Sequence, residues 1–223
     1  MLLRTALGRT WRSRCESATA LAFDPSLDLA HVARMRALYH VGRFDEAFAE
    51  ASLARTLNPR PGVELARLEI AVQLFAGRFD EAARRADDLL QRTDAPAMRH
   101  YLGLSQFYLG SVDAARQTLA SVSRADQPDV RAQALASIEA ASGMRDQALA
   151  RVRTIERRDD IDHHVAYSLG AAWVQLGDSA ASVRWLRQAA DTGASVHVGP
   201  VILHGVGLGD PGGRRCTGSG GHE

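Results

Sequence analysis

Gly42-Arg43-Phe44-Asp45-Glu46-Ala47 recurs letter for letter at Gly77-Arg78-Phe79-Asp80-Glu81-Ala82. Such self-similarity overrides the ordinary expectation that a chain of 223 residues folds as one or two domains around single cores. Working outward from these two glycines, equivalents stand at Gly8, Gly110, Gly143 and Gly177, a period of about 34 residues. A unit of that length holds two helices and a turn. It buries its apolar face only against its neighbours, so stability accumulates along the array.

The chemistry of each unit supports that reading. A glycine reaches the left-handed conformation that ends a helix without a Cβ clash, so the spacing predicts a first helix ending at each repeated glycine. Asp45 and Glu46 then fall in the first turn of a second helix, where carboxylates meet the positive end of the helix dipole. Pro25 and the run Asn58-Pro59-Arg60-Pro61 stop helices, because proline cannot donate to the ladder and disfavours helix in the residue before it.

The second helices carry small or apolar residues at i, i+4 and i+7, the packed face of a helix. These triads are Ala47, Ala51, Ala54; Ala82, Ala86, Leu89; Ala115, Leu119, Val122; Ala148, Val152, Ile155; and Ser182, Leu186, Ala189. Alanine in the first place lets the two helices of a hairpin approach closely. Gly103 and Gly170 sit inside first helices, where glycine costs about 1 kcal/mol relative to alanine. Close helix contact at those positions is the expected reason.

The expected fold is all-α: tandem helix-turn-helix repeats forming a right-handed α-solenoid. Residues 1–26 are assigned to a partial N-terminal repeat and 27–193 to five repeats, at about 28–61, 62–95, 96–127, 128–160 and 161–193. Met1 to Arg14 is arginine-rich and free of acids, as transit peptides are, but Gly8 in phase with the later glycines, and Pro25 with Pro59, favours a truncated repeat. Residues 194–223 hold nine glycines and no helical period. That stretch cannot offset its ordering entropy by burial and is expected to be a disordered tail, its abrupt change of composition being what an altered reading frame would give.

With these residues laid out, the chain resembles the tetratricopeptide repeat (TPR) family. Leu102-Gly103 and Leu169-Gly170 match that family's Leu-Gly pair, and Trp173 its tyrosine-like place. Ala47 with Ala54, and Pro25 with Pro59, match its later positions. Arg34-Met35 departs from the Leu-Gly pair, Gln106 from a tyrosine-like place, and Asp94 and Asp160 stand where proline is usual. The segment from Val165 to Gly193 also resembles the last repeat of TPR regions in bacterial regulatory proteins. The resemblance implies a non-catalytic scaffold that binds a peptide or helix of a partner protein in a concave groove lined by first helices. The alternative it leaves is a detached regulatory or sensor arm of a serine/threonine kinase, cyclase or transcriptional regulator.

Composition narrows the chemistry. The net charge is +1, from 27 basic and 26 acidic residues mixed along the chain, which argues against nucleic acid and membrane surfaces as partners. A pentatricopeptide-type RNA reader would need a basic face, and the balanced charge and the Gly-to-Ala turn signature count against it. All basic residues are arginine, so lysine-dependent phosphate, Schiff-base or kinase chemistry has no residue to use. Cys15 and Cys216 form no CxxC pair, which fits a reducing, cytoplasmic setting without a disulfide framework. No apolar run approaches the roughly 18 residues of a membrane span. No cofactor is expected.

Placed by their distance from each turn glycine, the groove-facing candidates are Arg36, Tyr39, His40, Arg67, Phe75, His100, Phe107, Tyr108, Gln133, His164 and Tyr167, with Val32, Leu74 and Ser137 beside them. Arginines as bidentate donors and aromatics as contact area suit an acidic or carboxylate-ended peptide; the same aromatics would also serve to pack repeats together. Asp159-Asp160-Ile161-Asp162-His163-His164 invites a metal. Adjacent histidines on a helix point about 100° apart and lack the i, i+4 spacing of helical zinc sites, so helix capping by the acids is the expectation, with no metal.

Overall fold

The computed structural model describes residues 17, 19–60, 62–93, 97–122 and 128–192. The expectations for residues 1–16 and 194–223 lie outside the described residues, as does the side chain of Gln133. Residues 19–23 are helical. Ten further helices follow among the described residues: α1 (Asp28–His40), α2 (Phe44–Leu57), α3 (Val63–Phe75), α4 (Phe79–Arg92), α5 (Ala97–Tyr108), α6 (Val112–Ala120), α7 (Pro128–Ala141), α8 (Arg145–Glu156), α9 (His163–Gln175) and α10 (Ser179–Thr192). They form successive hairpins, and no strand occurs among the described residues. The chain is an all-α helical-repeat solenoid.

Each hairpin turn is closed in the same way. Gly42, Gly77, Gly110, Gly143 and Gly177 have φ between 72° and 83°, a region costly for residues with a Cβ. At the first turn the Arg43 N–H donates to the Leu38 carbonyl at 3.0 Å and the Gly42 N–H to that of Tyr39 at 3.1 Å. This pair of bonds is the Schellman motif, which satisfies carbonyls a helix end would otherwise orphan. The six-to-one bond recurs from Arg78 to Gln73, Ser111 to Gln106, Met144 to Glu139 and Asp178 to Trp173, at 2.8–3.0 Å. Asp45 and Glu46 do lie in the first turn of α2, as Asp80 and Glu81 do in α4.

Every member of the five second-helix triads is buried except Leu89 and Leu186, which are half-buried. The core is therefore a series of small clusters, each joining one hairpin to the first helix of the next. Met35, Leu38, Ala47, Ala51 and Ala54 pack with Leu65, Leu68 and Val72. Ile70, Leu74, Phe79, Ala82 and Ala86 pack with Met98. Ala136, Ala148, Val152 and Ile155 pack with Val165 and Leu169. Fully burying one such leucine or valine contributes about 1.5–3 kcal/mol, and the sum is distributed along the chain.

Two buried carboxylates, Glu69 and Glu139, and the half-buried Glu156 tie these layers together. Glu69 on α3 is 5% exposed; it accepts from Arg55 Nε of α2 at 2.9 Å and from Arg85 Nη2 of α4 at 2.6 Å. Glu139 on α7 accepts both Arg151 Nε and Nη2, at 2.8 and 2.6 Å. Glu156 Oε1 accepts the indole N–H groups of Trp173 and Trp185 at 2.9 and 2.7 Å, which fastens the last hairpin to the one before it.

Candidate functional site

First helices line the inner wall of the array, because second helices occupy the outer layer of each hairpin. The wall encloses a cavity of about 830 Å³. Of the eleven candidates named from the sequence, Arg36, Tyr39, His40, Arg67, Phe75, His100, Tyr108, His164 and Tyr167 line it. Leu74 and Ser137 also line it, whereas Val32 packs into the first core cluster. Phe107 does not line it: its ring packs on the cluster of Ala115, Leu119, Ala134, Leu135 and Ile138. The next residue, Tyr108, faces inward and stacks on Phe79 with ring centres 4.8 Å apart. Helical rotation between neighbours explains the miss, since a shift of one position turns a side chain by about 100°.

The chamber is narrow. Tyr39 lies 5.6 Å from Phe75, and Phe75 lies 6.3 Å from Tyr167, centre to centre. The first, second and fifth repeats therefore present rings to one another across the groove. Nothing in the linear spacing signals this closure, because curvature sums small rotations from repeat to repeat.

The expected arginine pair is already engaged. Arg36 Nη2 donates to Glu64 Oε1 at 2.6 Å. Arg67 forks onto the same carboxylate, Nε to Oε2 and Nη2 to Oε1, both at 2.7 Å, and donates from Nη1 to the Tyr101 hydroxyl at 2.9 Å. Two guanidinium groups sharing one carboxylate leave a net positive charge at this wall. The hydrogen bond from Arg67, together with both positive charges, holds Glu64 below its usual pKa. Over the whole lining the arginines Arg36, Arg67 and Arg158 face Glu64, Asp160 and Asp162, so charge is local rather than a uniform field. Glu64 and Tyr101 were not among the sequence candidates; their one signal was the i, i+3 spacing of Glu64 and Arg67 on a helix face.

Burial sets the protonation of the rest. Desolvation raises the hydroxyl pKa of Tyr39, Tyr101 and Tyr108, and pushes Tyr167 up to about 12. These hydroxyls stay protonated and able to donate. Burial, then the charge on His164, pushes His100 down to about 4. Its Nδ1 is sealed from water without a hydrogen-bond partner. His164 is exposed, yet the walls packed around it strip hydration from the ring. That desolvation, then His163 and His40, brings it to about 4. Asp162 caps α9, its Oδ1 accepting the Val165 N–H at 2.9 Å, as the sequence suggested.

No model of a protein family matches the sequence, and no curated protein matches it. Among solved structures, the chain is similar to one in the crystal structure of the APC/C hetero-tetramer Cut9–Hcn1, with a TM-score of 0.62 and 17% identity, over 84% of this chain and 37% of that chain. It is also similar to YrrB, a TPR protein with an unusual peptide-binding site, with a TM-score of 0.46 and 17% identity, over 84% and 96% of the two chains. The likeness to the Cut9–Hcn1 structure shows a shared fold, a solenoid of helical hairpins, and the chain spans little more than a third of that relative's length. At the level of fold, the TPR resemblance read from the sequence is borne out.

Proposed function

We propose that this protein is a non-catalytic interaction scaffold whose inner groove receives an extended segment of a partner protein. The observation that carries this is the narrow, ring-walled chamber beside Arg36 and Arg67. A helix with its side chains is about 10–12 Å across, whereas Phe75 and Tyr167 approach to 6.3 Å. Those two rings are themselves in edge-to-face contact, so the partner's segment lies beside them, in the open part of the chamber at Arg36 and Arg67, where an extended chain needs less width than a helix. Arg36 and Arg67 would take a carboxylate of the partner in competition with Glu64, and the tyrosine hydroxyls would donate to its carbonyl groups. Aromatic and arginine anchors of this kind dominate binding energy at protein interfaces. A groove formed before binding also limits the ordering cost of association.

The test is fluorescence anisotropy with labelled extended peptides in acidic, neutral and basic series, each with a free or an amidated C-terminus. Acidic or carboxylate-ended peptides should bind the wild type, and Arg36→Glu combined with Arg67→Glu should abolish that binding with helicity unchanged in circular dichroism. Equal binding by a folded double variant would refute the groove assignment.

A further inference from the structure

The fold brings a third histidine to the pair at the start of α9. His40 is the last residue of α1, in the first repeat; His163 and His164 open α9, in the fifth. The His40 ring centre lies 5.5 Å from each of the other two, and those two lie 4.0 Å apart. One ligand nitrogen from each ring can be chosen so that all three lie within 4.8 Å of one another. The objection that adjacent helical histidines diverge applies to two residues on one helix. It loses force when a ring from another helix lies against both.

We propose that His40, His163 and His164 form a zinc site that fastens the first repeat to the fifth across the mouth of the groove. Three imidazoles and one open position suit Zn²⁺, which takes histidine nitrogen at about 2.0–2.1 Å in tetrahedral geometry. That geometry places ligand nitrogens about 3.3 Å apart, so the present spacing, up to 4.8 Å, needs a contraction of up to about 1.5 Å. The rings can make it: His164 is exposed, and His40 and His163 are half-buried rather than locked in a core. The His40 Nδ1 lies 2.7 Å from the Arg36 carbonyl oxygen. A carbonyl only accepts, so Nδ1 carries the proton and the lone pair sits on Nε2. Backbone carbonyls fix the tautomer of ligating histidines in this way in established metal sites. His40 ends its helix at the negative pole of the dipole, which offsets the positive pole at the start of α9 where His163 and His164 stand. Asp162 is committed to capping and Asp160 to Arg158, which leaves the fourth position to water.

The experiment uses the full chain without a histidine tag. Zinc is titrated in competition with a chromophoric chelator, and Co²⁺ serves as the spectroscopic substitute. The expected result is one zinc per chain, tetrahedral cobalt absorption bands, and a melting midpoint raised by zinc. His40→Gln should weaken binding by at least the roughly 10–100-fold that loss of an outer-shell partner costs, and should remove the bands. His164→Gln, at an exposed ring, gives the same readout should the first variant fail to fold. Absence of stoichiometric zinc binding, or wild-type affinity retained in either folded variant, would overturn the site. The inference stands apart from peptide binding: zinc can bind whether or not any peptide does.

Discussion

A Cβ added to Gly170 would stand 2.7 Å from Cγ of Leu186, nearer than any real methyl group approaches. Gly103 meets Leu119 in the same way, at 2.6 Å. At the equivalent places in the first two repeats the sizes are exchanged: Met35 shares a buried cluster with Ala51, and Ile70 shares one with Ala86. The fourth repeat uses Ala136 with Val152. The hairpin crossing thus keeps its summed volume while either helix supplies the bulk, as close-packed interiors require.

Gly170→Ala should therefore destabilise the protein. Overpacking costs about 1–3 kcal/mol, against roughly 1 kcal/mol gained in helix propensity. In a Leu186→Ala background the same change should stabilise, because only the propensity term remains. Urea denaturation of the four proteins measures this coupling; the same sign in both backgrounds would contradict the contact.

The exchange of sizes predicts a rescue in the first repeat. Ala51→Leu alone should lower the thermal midpoint, since Ala51 is 2% exposed and Met35 is fully buried. Adding Met35→Gly should restore part of the loss by recreating the Gly103–Leu119 arrangement. Additive losses would show that the two positions do not share space.

Glu69 predicts an asymmetry. Replacing it by leucine frees Arg55 and Arg85, whose side chains are 41% and 37% exposed and can turn to water. Replacing both arginines by leucine strands a carboxylate that is 7% exposed, and removing the partners of a buried charge costs about 3–5 kcal/mol. The double arginine variant should melt well below Glu69→Leu. The reverse order would contradict the layer-bridging role.

His100 sets a pH dependence. Its folded pKa, about 4, is depressed below the ordinary imidazole value of 6.5, so the unfolded chain binds the proton more readily. Its contribution to stability is complete above pH 6.5 and is lost as pH falls toward 4. The unfolding free energy should decline across that window, and less steeply in His100→Gln. Identical pH profiles for the two proteins would refute the assignment.

The hairpin architecture was legible because it is local. A glycine at positive φ, acids in the next turn and small residues at i, i+4 and i+7 each act within one unit. Even the departure at Arg34-Met35 has a local answer, since Met35 fills the space that Gly103 leaves to Leu119. The groove was legible only in part. Its facing residues follow from helical phase, and a shift of one position separates the core-packed Phe107 from the groove-lining Tyr108. What joins distant repeats was not legible. Phase alone could not show that Phe75 meets Tyr167 or that His40 reaches His163 and His164, because those meetings depend on curvature accumulated over the array.

The groove is tested most directly by hydrogen exchange on the complex with a peptide selected by anisotropy. Exchange should slow in the inner helices, around 36–40, 64–68, 100–108 and 164–168, with the exposed faces of α2, α4, α6 and α8 unchanged. Protection confined to those outer helices would place the partner elsewhere and contradict it.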